Sequence, residues 1–512
     1  MGEIASGLLS GERHSEWEAV ERRILLASGG FSSLGIGAND AVALLLRNDP
    51  VFLEASHAVL RLGAYAVPIN WHFRANEVGY VLRDCASRVL IVHSDLLPLV
   101  ASAVPADVTL LQVETPAEIR RAFGVADSAA CVPVGALAWN RWVEQQQPTT
   151  VPALPLAESM IYTSGTTGVP KGVRRMRPTA AQAVSMTALR TAIYGMEPGM
   201  RSIVPGPLYH SAPNSFALRA ARLGGLLVLM PRFDAEEFLA LVERHRISHA
   251  FMVPTMFVRL LNLPEGVRRR YDVSSLRCIV HAAAPCPIEI KRRMIQWWGP
   301  VLLEFYGGTE SGPVTVCSSA EWLERPGTVG RVVANAVVKA IAEDGSEAAP
   351  GAAGELFMRI ADYPDFTYQN RPEDRAAVER HGLITLGDVG YFDAAGYLYL
   401  CDRKRDMIIS GGVNIYPAEI EAALHRLPGI ADCAVFGIPD AEFGETVMAV
   451  LQLVEGAALS AEDVREQLRP HLAGYKIPRR IEVSAMLPRE DSGKIMKRAL
   501  RAPHWEGTGR RI

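Results

Sequence analysis

From about Asp40 onward the chain alternates short apolar runs with amphipathic stretches. Ala41–Leu46 is apolar throughout and of strand length, the pattern of a strand covered on both faces. Asn48, Asp49 and Pro50 come next, a capping residue and a first-turn proline that signal a helix start. Val51–Leu60 carries apolar residues at helical spacing and stops near Gly63. A strand over Ala64–Ile69, a helix and a strand over Arg88–His93 complete the βαβ logic of a parallel sheet. Similar alternation returns from Ser159 to about Val316. Between Gly327 and Leu400 the texture changes to short β-rich segments, with turn signals at Glu343-Asp344-Gly345 and Asp393–Gly396. After Asp402 a compact α+β stretch begins, with a helix expected over Pro417–Leu427, and Pro148–Pro155 reads as a surface loop. The expected fold class is α/β. Residues 1–402 form a large N-terminal part of several subdomains with a β-rich distal portion, and residues 403–512 a small C-terminal α+β domain.

Composition narrows the function without deciding it. A chain of 512 residues exceeds one ordinary core. Its net charge of −3 supplies no global field for nucleic acid or an anionic membrane. The Arg268-Arg269-Arg270 cluster is short and reads as a solvated face. Seven cysteines, an odd number with no Cys-x-x-Cys pair, suggest reduced thiols in a cytoplasm. Met1, Gly2 and Ser6 match only the bare myristoylation pattern, which many unrelated starts share. No apolar run approaches the roughly 18 residues of a membrane span, so no integral membrane association is expected.

The strongest chemical signal is the segment Tyr162–Gly172, with Thr163, Ser164, Gly165, Thr166, Thr167, Gly168 and Lys171. Glycines let backbone N–H groups turn toward an anion, hydroxyls add donors, and Lys171 adds charge. It is not a Walker A loop, because glycine follows the lysine and the glycine spacing differs. A phosphate-binding loop is the reading.

Ser164–Gly172 resembles the signature of the adenylate-forming superfamily, which includes acyl-CoA synthetases, luciferase-type enzymes and peptide-synthetase adenylation domains. Further segments in the same order carry the resemblance over about residues 40–500. Tyr306-Gly307-Gly308-Thr309-Glu310 is similar to the adenine- and magnesium-binding segment, and Gly387-Asp388 to the ribose-binding one. Asp402–Asp406 resembles the interdomain hinge, Ser410–Asn414 the glycine loop, and Pro488 with Gly493-Lys494 the catalytic lysine motif. The resemblance implies an ATP-dependent carboxylate–CoA ligase that uses ATP, Mg²⁺ and coenzyme A and forms an acyl-adenylate. It also implies a mobile C-terminal domain that presents Lys494 for adenylation, then the Gly411-Gly412 loop for thioester formation. Partners are then a small carboxylic acid and CoA, with a homodimer left open.

Each match has a physical reason. Tyr306 can stack on adenine against an Ala283-Ala284-Pro285 wall. Thr309 offers a hydroxyl to phosphate, and Glu310 a hard oxygen ligand for Mg²⁺. Asp388 can accept ribose hydroxyls, with Arg403 as a nearby donor. Lys494 can bridge acyl and phosphate oxygens as two anions meet. Two positions depart from the pattern: Arg405 stands where the hinge usually has aspartate or lysine, and Leu386 replaces a threonine common before Gly387. His210 resembles the gate between acyl pocket and CoA tunnel. His245 and His249, at i, i+4 spacing without a carboxylate pattern, read as helix surface or packing.

The pocket positions bear on the acid. Gly307 falls where acetate-specific relatives carry a capping tryptophan, so a longer cavity is expected. Phe305 falls where malonate-using relatives carry an arginine, which disfavours a second carboxylate. No acid follows His210 to hold an ammonium, and Pro313 and Val314 match pocket positions of coumarate–CoA ligases. A medium- or long-chain apolar monocarboxylic acid is the first reading, and an aryl, arylpropenoic or alicyclic acid the second. An acyl-AMP ligase loading a separate carrier protein, a luciferase-like monooxygenase, and a silent nucleotide-binding regulator are the rivals. Lys171, Glu310 and Lys494 are all present, which disfavours the last.

Overall fold

The computed structural model describes residues 4–133, 136–154, 157–163, 170–404, 406–411, 413–489 and 495–506. Ser164, Gly165, Thr166, Thr167, Gly168, Arg405, Gly412 and Lys494 lie outside the described residues. The first expected strand forms over Ala41–Leu45 and is buried throughout. The helix after it spans Pro50–Arg61, capped by Asp49, whose Oδ1 accepts from Val51 N at 2.8 Å. Parallel pairing joins Ala41–Leu45 to Tyr65–Pro68 and Val89–His93, and the latter to Thr109–Val113.

A larger sheet positions the motifs. Its strands Gly7–Ser10, Leu226–Leu229, Arg201–Val204, His249–Met252, Cys278–His281 and Leu302–Gly308 are successively parallel. At Leu302–Gly308 the sheet changes character. The chain turns back as Gly312–Ser318, and every later addition, through Thr328–Val332, Leu398–Arg403, Leu383–Phe392 and Gly354–Ile360 to Ala336–Ile341, is antiparallel. The expected β-rich portion is thus a continuation of the α/β sheet rather than a separate one. A three-stranded sheet of Phe366–Tyr368, Lys171–Arg175 and Ile161–Thr163 lies beside the hairpin. Sheet membership changes again after Arg403. Ile408–Ser410, Val413–Ile415, Ile430–Asp440, Gly444–Leu453 and Arg480–Val483 form a sheet of their own. The helix expected over Pro417–Leu427 ends at Leu424.

The two histidines do not share a helix. His245 ends the helix Ala235–His245, Arg246 takes a left-handed conformation that stops it, and His249 opens the next strand. Both are buried, and His249 Nε2 contacts Gly195 O at 2.8 Å. Of the two earlier readings, packing holds and helix surface does not. No helix among the described residues is long and apolar enough to cross a membrane.

Asn48 ties the small parallel sheet to the loop that leads into His210. Its Nδ2 donates to Gly206 O at 2.8 Å and Met230 O at 2.9 Å, and its Oδ1 accepts from Leu208 N at 2.9 Å. It is 1% exposed. Asn48→Ala orphans three buried backbone groups, each worth about 1–3 kcal/mol, so the expected loss of stability is about 3 kcal/mol or more. Urea unfolding measures it, and a loss below about 0.5 kcal/mol would contradict the assignment.

Candidate active site

The site is built on the turn where the large sheet changes from parallel to antiparallel. Leu302–Gly308 and Gly312–Ser318 pair as a hairpin, with a register shift between Tyr306 and Gly307. Such a bulge re-aims side chains at a strand end. The turn is tied internally, because Gly308 N donates to Ser311 Oγ at 2.9 Å and Ser311 Oγ donates to Gly312 O at 2.8 Å. Thr309 and Glu310 therefore stand at the tip of a braced loop.

Tyr306 and Asp388 come together. The Tyr306 hydroxyl donates to Asp388 Oδ2 at 2.7 Å, and Arg403 Nε lies 3.4 Å from Asp388 Oδ1. Asp388 and Arg403 are also direct neighbours across two paired strands. Burial first, then the Asp388 charge, pushes the Tyr306 phenol well above its ordinary range, so it stays a donor. Leu386 cannot supply the hydroxyl expected before Gly387. Thr385, one residue earlier, does, accepting from Gly387 N at 2.9 Å.

Glu310 is half-buried, and burial raises its carboxyl above the usual range. Its Oε1 accepts from the Tyr368 hydroxyl at 3.0 Å. Lys171 Nζ sits 5.2 Å from the centre of the Tyr368 ring and 2.9 Å from Asp374 Oδ2. Thr163 and Lys171 are paired across the strands that flank the glycine-rich segment, which closes its base. Tyr368 and Asp374 were not singled out from the sequence, since their approach depends on pairing across about two hundred residues.

Other predicted residues are placed as follows. Ala283, Ala284 and Pro285 connect the strand Cys278–His281 to the helix Ile288–Trp298, and Ala283 takes a φ of 75°, uncommon for a residue with a side chain. His210 occupies the position before the helix Ser211–Ala220 and packs on Tyr209, ring centres 4.3 Å apart. Gly411 has a φ of 56° and donates its N–H to Phe443 O at 2.8 Å. A Cβ there would stand 3.0 Å from the Phe443 ring, so glycine suits this turn twice over.

The predicted acyl-pocket residues are not all brought together. Phe305 is buried against Tyr194 and Phe251, with ring centres 6.1 and 6.2 Å away. Val314 packs into a different apolar cluster, with Tyr306, Tyr363 and Phe366. Pro313 lies opposite Gly307. Gly307 is not an open position, because a Cβ there would lie 2.0 Å from Gly312 O. Close approach of the hairpin strands accounts for this glycine, and the reading of it as an opened channel is corrected on that point.

Two other features carry no site. A cavity of about 340 Å³ lined by Trp17, His57 and Arg222 shares no residue with the motifs. His425, Asp432 and Cys433 hold their donor atoms within 4.8 Å of one another, but the Arg489 guanidinium already pairs with Asp432 and opposes a cation.

A family model described as AMP-binding enzyme matches residues 6–361, and one described as AMP-binding enzyme C-terminal domain matches residues 419–494. The chain belongs to the AMP-binding enzyme family. It is an AMP-forming acyl-CoA synthetase of the adenylate-forming superfamily, acting through ATP and CoA. It is similar to the feruloyl-CoA synthase of an Amycolatopsis species, 32% identical over 505 residues that cover 98% of this chain and 96% of the relative. It is also similar to the long-chain-fatty-acid–CoA ligase FadD13 of Mycobacterium tuberculosis, 32% identical over 472 residues, 92% of this chain and 89% of that protein. Among solved structures it resembles the anthranilate CoA ligase AuaEII in complex with anthranoyl-AMP, with a TM-score of 0.86 at 25% identity, covering 99% of this chain and 95% of that one.

The Tyr368–Glu310 bond yields a pH prediction for this synthetase. A donor to the ionised carboxylate lowers its pKa, so its loss moves Glu310 further up. Tyr368→Phe should shift the acid limb of the ATP–pyrophosphate exchange profile to higher pH. An unmoved or lower inflection would show that Glu310 does not govern that limb.

Proposed function

We propose that this synthetase activates an apolar monocarboxylic acid, with Glu310 and Thr309 as the metal- and phosphate-facing groups and Lys494 as the adenylation lysine. The observation that carries the reading is the braced Thr309–Glu310 turn, set between the Tyr306–Asp388 pair and the Lys171 strand. One half-buried carboxylate with a neighbouring hydroxyl suits Mg²⁺, which keeps waters and phosphate oxygens as its other ligands. When bound, the ion would neutralise charge on the triphosphate. Tyr306 and the Ala283–Pro285 segment hold adenine, and Asp388 and Arg403 hold ribose. Lys171 leaves Asp374 for phosphate when ATP enters. The substrate carboxylate then attacks the α-phosphorus, pyrophosphate leaves, and CoA sulfur displaces AMP from the acyl-adenylate.

Residues 403–512 are proposed to move between the half-reactions. Lys494 serves the first, and Gly411 with Gly412 admits the pantetheine arm in the second, with His210 as the gate. Asp402 sits at the junction, its Oδ1 accepting from Arg403 N at 2.7 Å and its Oδ2 from Ala418 N at 2.9 Å.

The wall around Phe305 supports an uncharged acyl group. Behind it lie Tyr194, Phe216 and Phe251, and Arg190 and Arg219 are engaged by Glu158. The second reading beside a medium- or long-chain acid is a flat aryl or arylpropenoic acid. The relatives are named for both kinds of acid. Free CoA is the proposed acceptor, and a carrier protein the alternative.

Pyrophosphate release over acetate, malonate, decanoate, palmitate, ferulate and indoleacetate, with and without CoA, tests this reading. Turnover should be highest with a monocarboxylate larger than acetate and should need CoA; preference for malonate would contradict it. Lys494→Ala should slow acyl-adenylate formation by about a hundredfold or more while thioester formation from supplied acyl-AMP changes far less. Equal losses in both half-reactions would remove the assigned role.

A further inference from the structure

We infer that Arg175 is a positioning residue for the Thr309–Glu310 turn, acting through the turn's backbone rather than on substrate. Arg175 ends the strand Lys171–Arg175 and is 6% exposed. Side chains two apart share a strand face, so Lys171, Val173 and Arg175 lie on one side. The cross-strand partners of Val173 and Arg175 are Tyr368 and Phe366, which places Tyr368 on that face as well. From it Arg175 Nη2 donates to Thr309 O at 2.8 Å and to Glu310 O at 2.7 Å, while Nη1 donates to Pro364 O at 2.8 Å. Tyr368 meanwhile holds the Glu310 carboxylate. Glu310 is thus gripped at both ends from one small sheet, its main chain by Arg175 and its side chain by Tyr368.

A buried guanidinium at this place needs compensation, and the structure supplies it. Glu158 pairs with Arg219 at 3.1 Å and Arg190 at 3.5 Å, and Arg175 faces the same carboxylate. Burial alone would raise Glu158, but Arg190, Arg219 and Arg175 hold it down at about 2, so it stays charged. The ring of Tyr363 lies under both Arg175 and Arg190, at 5.3 and 5.8 Å. An apolar residue would satisfy the packing, and Lys could not reach two carbonyls with one planar fork. Only a planar multi-donor group joins the carbonyls of Thr309, Glu310 and Pro364 at once. The geometry therefore reads as a brace that sets where the Glu310 oxygens stand.

The inference rests on Glu310 as the Mg²⁺ ligand, and the experiment separates the two. Full-length wild type, Arg175→Met, Arg175→Lys and Glu310→Gln are compared by calorimetric ATP binding across free Mg²⁺ concentrations without acid, by ATP–pyrophosphate exchange, and by thermal midpoint. Arg175→Met should raise the Mg²⁺ needed for half-saturation by about tenfold and lower kcat by about tenfold, with KM for the acid within about twofold. Arg175→Lys, which can re-bond one carbonyl, should recover part of the loss. If Arg175→Met does not fold, Arg175→Lys decides, an intermediate Mg²⁺ requirement supporting the brace and a wild-type one overturning it. A folded Arg175→Met with wild-type Mg²⁺ dependence overturns it too. If Glu310→Gln alone leaves Mg²⁺ dependence unchanged, the metal reading of Glu310 fails.

Discussion

An acid and a triphosphate are both anions, and an enzyme that joins them must hold like charges in contact. At about 4 Å the repulsion is roughly 4 kcal/mol at an effective dielectric of 20. The arrangement around the candidate site answers that constraint. Lys171 and Arg175 share one strand face beside the Thr309–Glu310 turn, and Arg403 pairs with Asp388 from the strand across from it. Lys171 pairs with Asp374 and Arg403 with Asp388.

The sheet explains why these groups meet there. Its parallel strands end at one edge, where their loops gather, as ligand sites in parallel sheets generally do. The next strand runs back as a hairpin, and the bulge at Tyr306–Gly307 turns Tyr306 toward Asp388 while Phe305 faces the apolar core with Tyr194. One residue step therefore separates the polar Asp388 side from an apolar wall. Gly307 has no side chain because the facing strand, at Gly312, passes too close for one.

Local signals were legible in the sequence. Asp49-Pro50 placed a helix start correctly because capping is a matter of neighbouring residues, and the apolar run from Ala41 placed its strand within one residue. The order of short motifs gave Tyr306, Glu310, Asp388 and Arg403 before any geometry. What escaped was set by distant pairing. Arg175 reads as a surface charge beside Arg174, Arg177 and Lys171, and only Phe366–Tyr368 pairing across it shows that it is buried. A period-two reading onward from Lys171 was the one signal that could have found it. His249 escaped because a left-handed Arg246 broke the helix, and such a break has no strong marker without glycine or asparagine.

The reaction proposed for this synthetase runs in two steps through an acyl-adenylate. The direct measurement is a single turnover with enzyme in excess over ATP, an accepted acid and no CoA, quenched and analysed by mass spectrometry. Acyl-AMP and pyrophosphate should accumulate in equal amounts, and adding CoA should convert the bound intermediate to acyl-CoA and AMP. Formation of ADP and phosphate, or no product of any kind until CoA is present, would contradict the account.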